Sequence, residues 1–278
     1  LKNKFAGKTA LIAAAGPSLN NDLALLKANR DKFTVFCVNR AVSILIKNGI
    51  IPDFVVFADA FADNTLDGVK DQLANTNFIL NPRTDQLAFE TESKSKLIYF
   101  FNSDNFTLTL KEKYNANIST YESAGTVAIN AYFAAKTMGF SQIIFSGLDL
   151  AFTGGFIYAD NTKAQLDKAG ELTGNIKNKK VLYVKDKNGN DIPTRDDLCL
   201  FIRQFEEILE KTPDNELYNT SSGAYIKGMK YETLDSILKL KKADLTRAKV
   251  DEIVKSAYEH SQSEWKCTNK TIIKMLTE

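Results

Sequence analysis

The residues best suited to chemistry sit in short stretches that could present backbone N–H groups to a phosphate. In AAAGPSLNND, Ala13–Asp22, an apolar run turns on Gly16 and Pro17, and Ser18, Leu19 and Asn20 come next. Glycine permits close backbone approach or positive φ, proline fixes φ and lacks an N–H, and serine can donate a hydroxyl or cap a helix. Together they would aim the N–H groups of a helix start at an anion. The spacing is neither GxGxxG nor GxxxxGK[ST], and Lys8 precedes the strand, so taken alone the stretch reads better as a plain turn with an N-cap. ESAGTVAINAY repeats the device, with Ser123, Gly125 and Thr126 leading into a helix of small residues. FSGLDLAF places Ser146, Gly147 and Asp149 at the end of a buried strand. There the carboxylate could accept from a ribose or base, help to hold a cation, or simply cap the next element. Asn39 and Asp59 close two further apolar runs, whereas Asp53, behind Ile51-Pro52, reads as a turn residue rather than half of a metal pair.

Other chemistries are excluded. His260 is the one histidine and lies on a charged face with Glu259 and Glu264, which rules out a Ser-His-Asp triad or a multi-histidine metal site. Cys37, Cys199 and Cys267 are far apart and outside any CxxC spacing, so neither zinc nor a disulfide framework is expected. A reducing compartment, the cytoplasm, is the expected location. DKNGND imitates a calcium loop, but Gly189 comes two residues too early, and a hairpin turn at Asn188-Gly189 explains it better. Lys+Arg 36 against Asp+Glu 34 gives a net charge of +2, which offers no bulk field for nucleic acid. No apolar run approaches the ~20 residues of a membrane span. No tightly held cofactor or metal is implied, although Mg²⁺ on a bound phosphate remains compatible. The start LKNKFAGKTA lacks a signal-peptide stretch and an initiator methionine, which suggests a piece of a longer protein.

These candidates need strand ends to position them. TALIAAA, FTVFCVN, FVVFAD, NFILN, KLIYFF and QIIFSG are short apolar runs that fit strands buried on both faces, and helical patterns lie between them. The expected class is α/β, a Rossmann-like doubly wound, mostly parallel sheet with a helical C-terminal region. In such sheets ligands collect beyond the carboxyl ends of the strands, where strand order reverses. The division expected is a domain over 1–228 with a lid-like insertion at about 151–193, then a helical extension over 229–278. RDDLCLFIRQFEEILEK carries an apolar stripe of Leu198, Phe201, Phe205, Ile208 and Leu209.

AAAGPSLN, ESAGTVAINAYFAAKTMGF, IIFSGLDLAF and YNTSSGAYIKG, in that order, resemble the central domain of the bacterial motility accessory factor (Maf) family. The last of these adds Ser221, Ser222 and Gly223 to the candidate binding residues. That resemblance implies a glycosyltransferase that attaches nonulosonic acids such as pseudaminic acid to flagellin. The chain is also similar to sialyltransferases that use CMP-sialic acid, whose matched segments surround the nucleotide. Here these are Gly16 to Leu19, Asn39, Ser123 with Gly125, and Ser146 to Asp149. The similarity implies a CMP-sugar donor, Tyr158 in IYAD beside the leaving phosphate, and a catalytic base in YVKDKNGNDI, where Asp186 replaces the family's histidine. Ala15 stands where those enzymes have an asparagine. The core is similar as well to a pterin diphosphokinase-like family, which would make Asp59 and Asp149 ligands of Mg²⁺ carrying ATP. A third alternative is a non-catalytic module that binds flagellin.

Overall fold

The computed structural model describes residues 1–58, 66–81, 84, 96–103, 105–114, 120–121, 125–159, 166, 170–173, 177, 179–214, 216–240 and 244–264. Its strands are β1 (Thr9–Ala13), β2 (Thr34–Val38), β3 (Phe54–Phe57), β4 (Asn77–Leu80), β5 (Leu97–Tyr99), β6 (Phe101–Asn102), β7 (Thr120–Tyr121), β8 (Gln142–Ser146), β9 (Leu182–Lys185), β10 (Asp191–Thr194), β11 (Leu217–Asn219) and β12 (Lys230–Tyr231). The helices are α1 (Leu19–Ala28), α2 (Val42–Lys47), α3 (Asn105–Tyr114), α4 (Val127–Met138), α5 (Asp196–Lys211), α6 (Leu234–Lys239) and α7 (Arg247–Glu264).

Eight strands form one sheet in the order β12-β11-β8-β1-β2-β3-β4-β5, with every neighbouring pair parallel. Every residue of β1, β2, β3 and β4 is buried, as expected of strands covered on both faces. The chain moves outward from β1 to β5 and then returns to β8 on the other side of β1. The reversal of strand order therefore lies between the carboxyl ends of β1 and β8, where Ala13 pairs with Ser146. The doubly wound expectation holds.

α4 is rich in alanine, so it packs close against the strands, and nine of its residues are buried. Thr126 caps its start by accepting from the Ala128 N–H, and Gly139, at φ 91°, ends it in the left-handed conformation that glycine adopts without strain. The stretch from 229 onward begins as strand rather than helix, because β12 extends the sheet beside β11. Its apolar stripe, Leu234, Ile237, Leu238, Val250 and Val254, joins the main core. Within 151–193, Phe152, Ile157 and Leu172 pack on Leu198 as a small second core, and β9 and β10 form the hairpin expected around Gly189.

Asp53 proves to be more than a turn residue. Its carboxylate accepts from the Val35 N–H at 2.7 Å and pairs with Arg30 at 2.7 Å, which ties the start of β3 to β2. Burial pushes its pKa up and the Arg30 guanidinium pulls it back. Arg30→Ala would strand a buried carboxylate and is expected to cost about 3–5 kcal/mol, read from urea denaturation midpoints. A loss near zero would mean that the pair does not hold the two strands together.

Candidate functional site

Beyond β1 and β8 the chain folds into an interlocked knot of loops. The Gly16 N–H donates to the Gly147 carbonyl at 2.8 Å. A Cβ at Gly16 would overlap the Asp149 carboxylate, so glycine is required there for close packing. Asp149 is 1% exposed, and both of its oxygens are engaged. Oδ1 accepts from the Ser18 hydroxyl at 2.6 Å and the Thr153 hydroxyl at 2.7 Å, and Oδ2 accepts from the Ser18 N–H at 3.1 Å. Ser18 Oγ in turn accepts from the Ser222 N–H at 3.0 Å. Gly223 packs so tightly on the Asp149 backbone that a side chain would not fit, and the Ala224 N–H donates to the Asp149 carbonyl at 2.7 Å. Ser221 donates to the Leu148 carbonyl at 2.9 Å, and Ser146 donates to Asp22 at 2.6 Å.

This arrangement corrects one expectation. The first amides of α1 do not await an external anion, since the protein's own Asp149 takes the Ser18 N–H. The Leu19 and Asn20 N–H groups donate to Gly16 and Pro17 carbonyls at 3.1 Å. The Asn20 side chain donates to the Ala159 carbonyl at 2.8 Å, and the Ala159 N–H donates to the Ala15 carbonyl at 2.8 Å. The turn therefore holds the segment carrying Tyr158 in place.

A cleft of about 490 Å³ opens beside this knot, and there the second helix tip does face free space. Gly16, Asn39, Gly147 and Asp149 line it from the strand ends, and Gly125, Thr126 and Val127 line it from the start of α4. The Thr126 and Val127 N–H groups have no acceptor among the described residues. Gly125 is needed for close approach to α5, since a Cβ there would press on Phe201 and Gln204. Tyr158 closes one side. Pro17, Ser18, Leu19, Asn20, Ser146 and Ser221 to Gly223 lie outside the lining and act as its supports. Asp59 and Ser123 fall outside the described residues.

Sequence reasoning missed two cations. Arg40 lies over the Tyr158 ring, 5.4 Å from its centroid, and makes no ion pair or hydrogen bond among the described residues. Arg195 lines the cleft at the head of α5, and its Nε pairs with Asp197 at 2.6 Å. Arg40 directly follows Asn39, and the strand-end rule that selected Asn39 extends naturally to it. Arg195 stands between β10 and α5, where nothing in the local sequence separates a buried arginine from a solvated one. Leu150, also on the cleft wall, has φ 48°, a left-handed conformation that a branched side chain rarely adopts.

Asp186 is the second correction. Its carboxylate is exposed and accepts from the Asn190 side chain and from the Asn188 and Asn190 N–H groups, all within its own hairpin turn. The Asn190 bonds, chiefly, hold its pKa below the usual carboxylate range. It does not line the cleft, so the raised pKa expected of a general base is not realised.

The family model described as "MptE-like: 6-hydroxymethylpterin diphosphokinase MptE-like" matches residues 1–155, more than half of the 278. The chain belongs to that MptE-like family. Among solved structures it is similar to the Maf glycosyltransferase of Magnetospirillum magneticum AMB-1, with a TM-score of 0.68 and 17% identity. The match covers 93% of this chain and 41% of that one, so the shared fold spans less than half of the neighbour. No curated protein matches the sequence. No helix among the described residues is long and apolar enough to cross a membrane.

For a divalent cation, the described residues of this MptE-like chain do not fit. They hold no group of three or more potential ligands, and Asp149 has both oxygens committed to Ser18 and Thr153. Its burial raises its pKa, the neighbouring Asp22 adds to the shift, and the hydroxyls oppose it. Asp22 is raised by burial too. With folded pKa values above unfolded ones, stability is fully present below the unfolded values, about pH 4, and declines as pH rises through the folded ones. Asp149→Asn is expected to flatten this decline in melting temperature between about pH 4 and pH 7. An unchanged slope would show that the carboxylate ionises as it does in water.

Proposed function

We propose that this chain is the donor-binding core of a glycosyltransferase. It would move a nonulosonic acid, pseudaminic or related, from a CMP donor to Ser or Thr hydroxyls of flagellin in the cytoplasm. The observation that carries the reading is the convergence of the open α4 tip, Arg40, Arg195 and Tyr158 on one cleft. Amides and guanidinium groups gathered there suit an anionic donor, and apolar Leu198 and Phe201 beside them limit water. The similarity to the Maf glycosyltransferase fold supports the reaction class.

In the reaction, the acceptor oxygen forms a bond to the anomeric carbon as the bond from that carbon to the phosphate oxygen breaks. The electron pair leaves with CMP. The Thr126 and Val127 amides and Arg40 would stabilise the departing phosphate, and each fixed donor of this kind contributes about 3–4 kcal/mol to the transition state. Tyr158 would donate to the same group. The proton of the acceptor hydroxyl would pass to a carboxylate other than Asp186. Asp59, two residues past β3 in the sequence, is our candidate.

The family's name favours a second reading, in which ATP gives a diphosphate to a pterin alcohol. Calorimetry separates the two: CMP binding without metal supports the transferase, and ATP binding only with Mg²⁺ supports the kinase. In a single-turnover assay with a CMP-nonulosonate and purified flagellin, Tyr158→Phe is expected to slow transfer about 100-fold. Asp59→Asn should abolish it, whereas Asp186→Asn should leave it near the wild-type rate. Absence of transfer under every metal condition would sink the transferase reading.

A further inference from the structure

The cleft contains more cationic capacity than one phosphate requires. The α4 tip and Arg40 already make one receptor, and Arg195 comes from a different wall, the residue before α5. Its setting is that of a fixed receptor rather than a solvated surface charge. The side chain is 12% exposed, and Asp197 Oδ1 holds Nε at 2.6 Å. Asp197 is itself fixed by accepting from the Leu198 N–H at 3.1 Å. Neither terminal nitrogen of Arg195 has an acceptor among the described residues. One edge of the planar guanidinium is thus pinned, and the N–H groups on its remaining edge are left for a ligand. A guanidinium held this way matches two coplanar oxygens, a geometry that lysine does not reproduce.

We infer that Arg195 is the receptor for a second oxyanion of the ligand, distinct from the phosphate at α4, and that Asp197 is its positioning residue. The inference rests on the nucleotide-sugar reading only for the ligand's identity. A CMP-nonulosonate supplies this second group as the carboxylate beside its anomeric carbon, and a nucleoside triphosphate supplies it as a further phosphoryl group. In the first case Arg195 selects acidic sugars over neutral ones.

The test is calorimetric, on the full chain, with CMP, CMP-N-acetylneuraminate, AMP and ATP with Mg²⁺ as probes. Variants are compared only when they melt at the wild-type temperature. Arg195→Gln is expected to weaken CMP-N-acetylneuraminate about tenfold or more while leaving CMP within about twofold. Arg195→Lys should recover only part of the loss. Asp197→Asn should lose about threefold on the two-anion ligand alone, because the guanidinium is no longer oriented. If the wild type instead binds ATP and not CMP, and Arg195→Gln weakens ATP but not AMP, the nonulosonate reading fails and the Arg195 assignment stands. Equal weakening of the one-anion and two-anion ligands, no weakening of either, or no binding of any probe by the wild type would overturn the assignment.

Discussion

The buried carboxylate of Asp149 is the constraint on which the rest of the site depends. An isolated charge at this depth would be unfavourable, so it is surrounded by the Ser18 and Thr153 hydroxyls and the Ser18 amide. Those donors belong to different loops, and satisfying one carboxylate joins them. The β1–α1 turn, the end of β8 and the segment that leads to Tyr158 are fixed together in this way. Gly16 and Gly223 are then necessities of space, since each brings backbone against Asp149 where no Cβ fits.

This explains why two similar helix starts have different roles. At α1 the protein supplies its own anion, and that tip becomes structure. At α4 the cap comes from Thr126, a neutral hydroxyl that satisfies only the Ala128 N–H. The Gly125 N–H donates to Gln204 Oε1 at 3.1 Å, the Thr126 and Val127 amides remain available, and the macrodipole of a twelve-residue helix favours negative charge at that end. The supporting loops are thus held by a carboxylate whose two oxygens are hydrogen-bonded within the protein, and the positive character of the cleft comes from α4, Arg40 and Arg195. Asp197 offsets part of the Arg195 charge.

The sheet was legible because its strands are continuous apolar runs whose burial on both faces leaves little freedom of interpretation; TALIA and TVFCV are fully buried as strands. The position of the cleft was legible for the same reason, because strand order places it. Individual roles were less so. Ser18, Ser146 and Ser221 have the residue type of a ligand donor, but sequence does not reveal that an aspartate or carbonyl of the same chain accepts from them. Asp186 was misread because a local Asx turn and a catalytic carboxylate look alike when written as letters. Arg195 escaped notice because its burial arises from the packing of α5 against the segment from 151, a tertiary event with no local pattern, although its partner Asp197 is only two residues away.

The MptE-like and Maf likenesses need not conflict. Diphosphate transfer and sugar transfer from CMP both break a bond to phosphate oxygen, and both need fixed donors where negative charge accumulates. A cleft built on one open helix tip and two arginines meets that shared need without specifying the group that moves. What separates the two chemistries is where the remaining charge of the donor lies: along a phosphate chain, or across the anomeric carbon on a carboxylate. Arg195, pinned at one edge and placed on a different wall from α4, offers its remaining edge to either layout, so it bears on where a second oxyanion would sit and not on which group carries it.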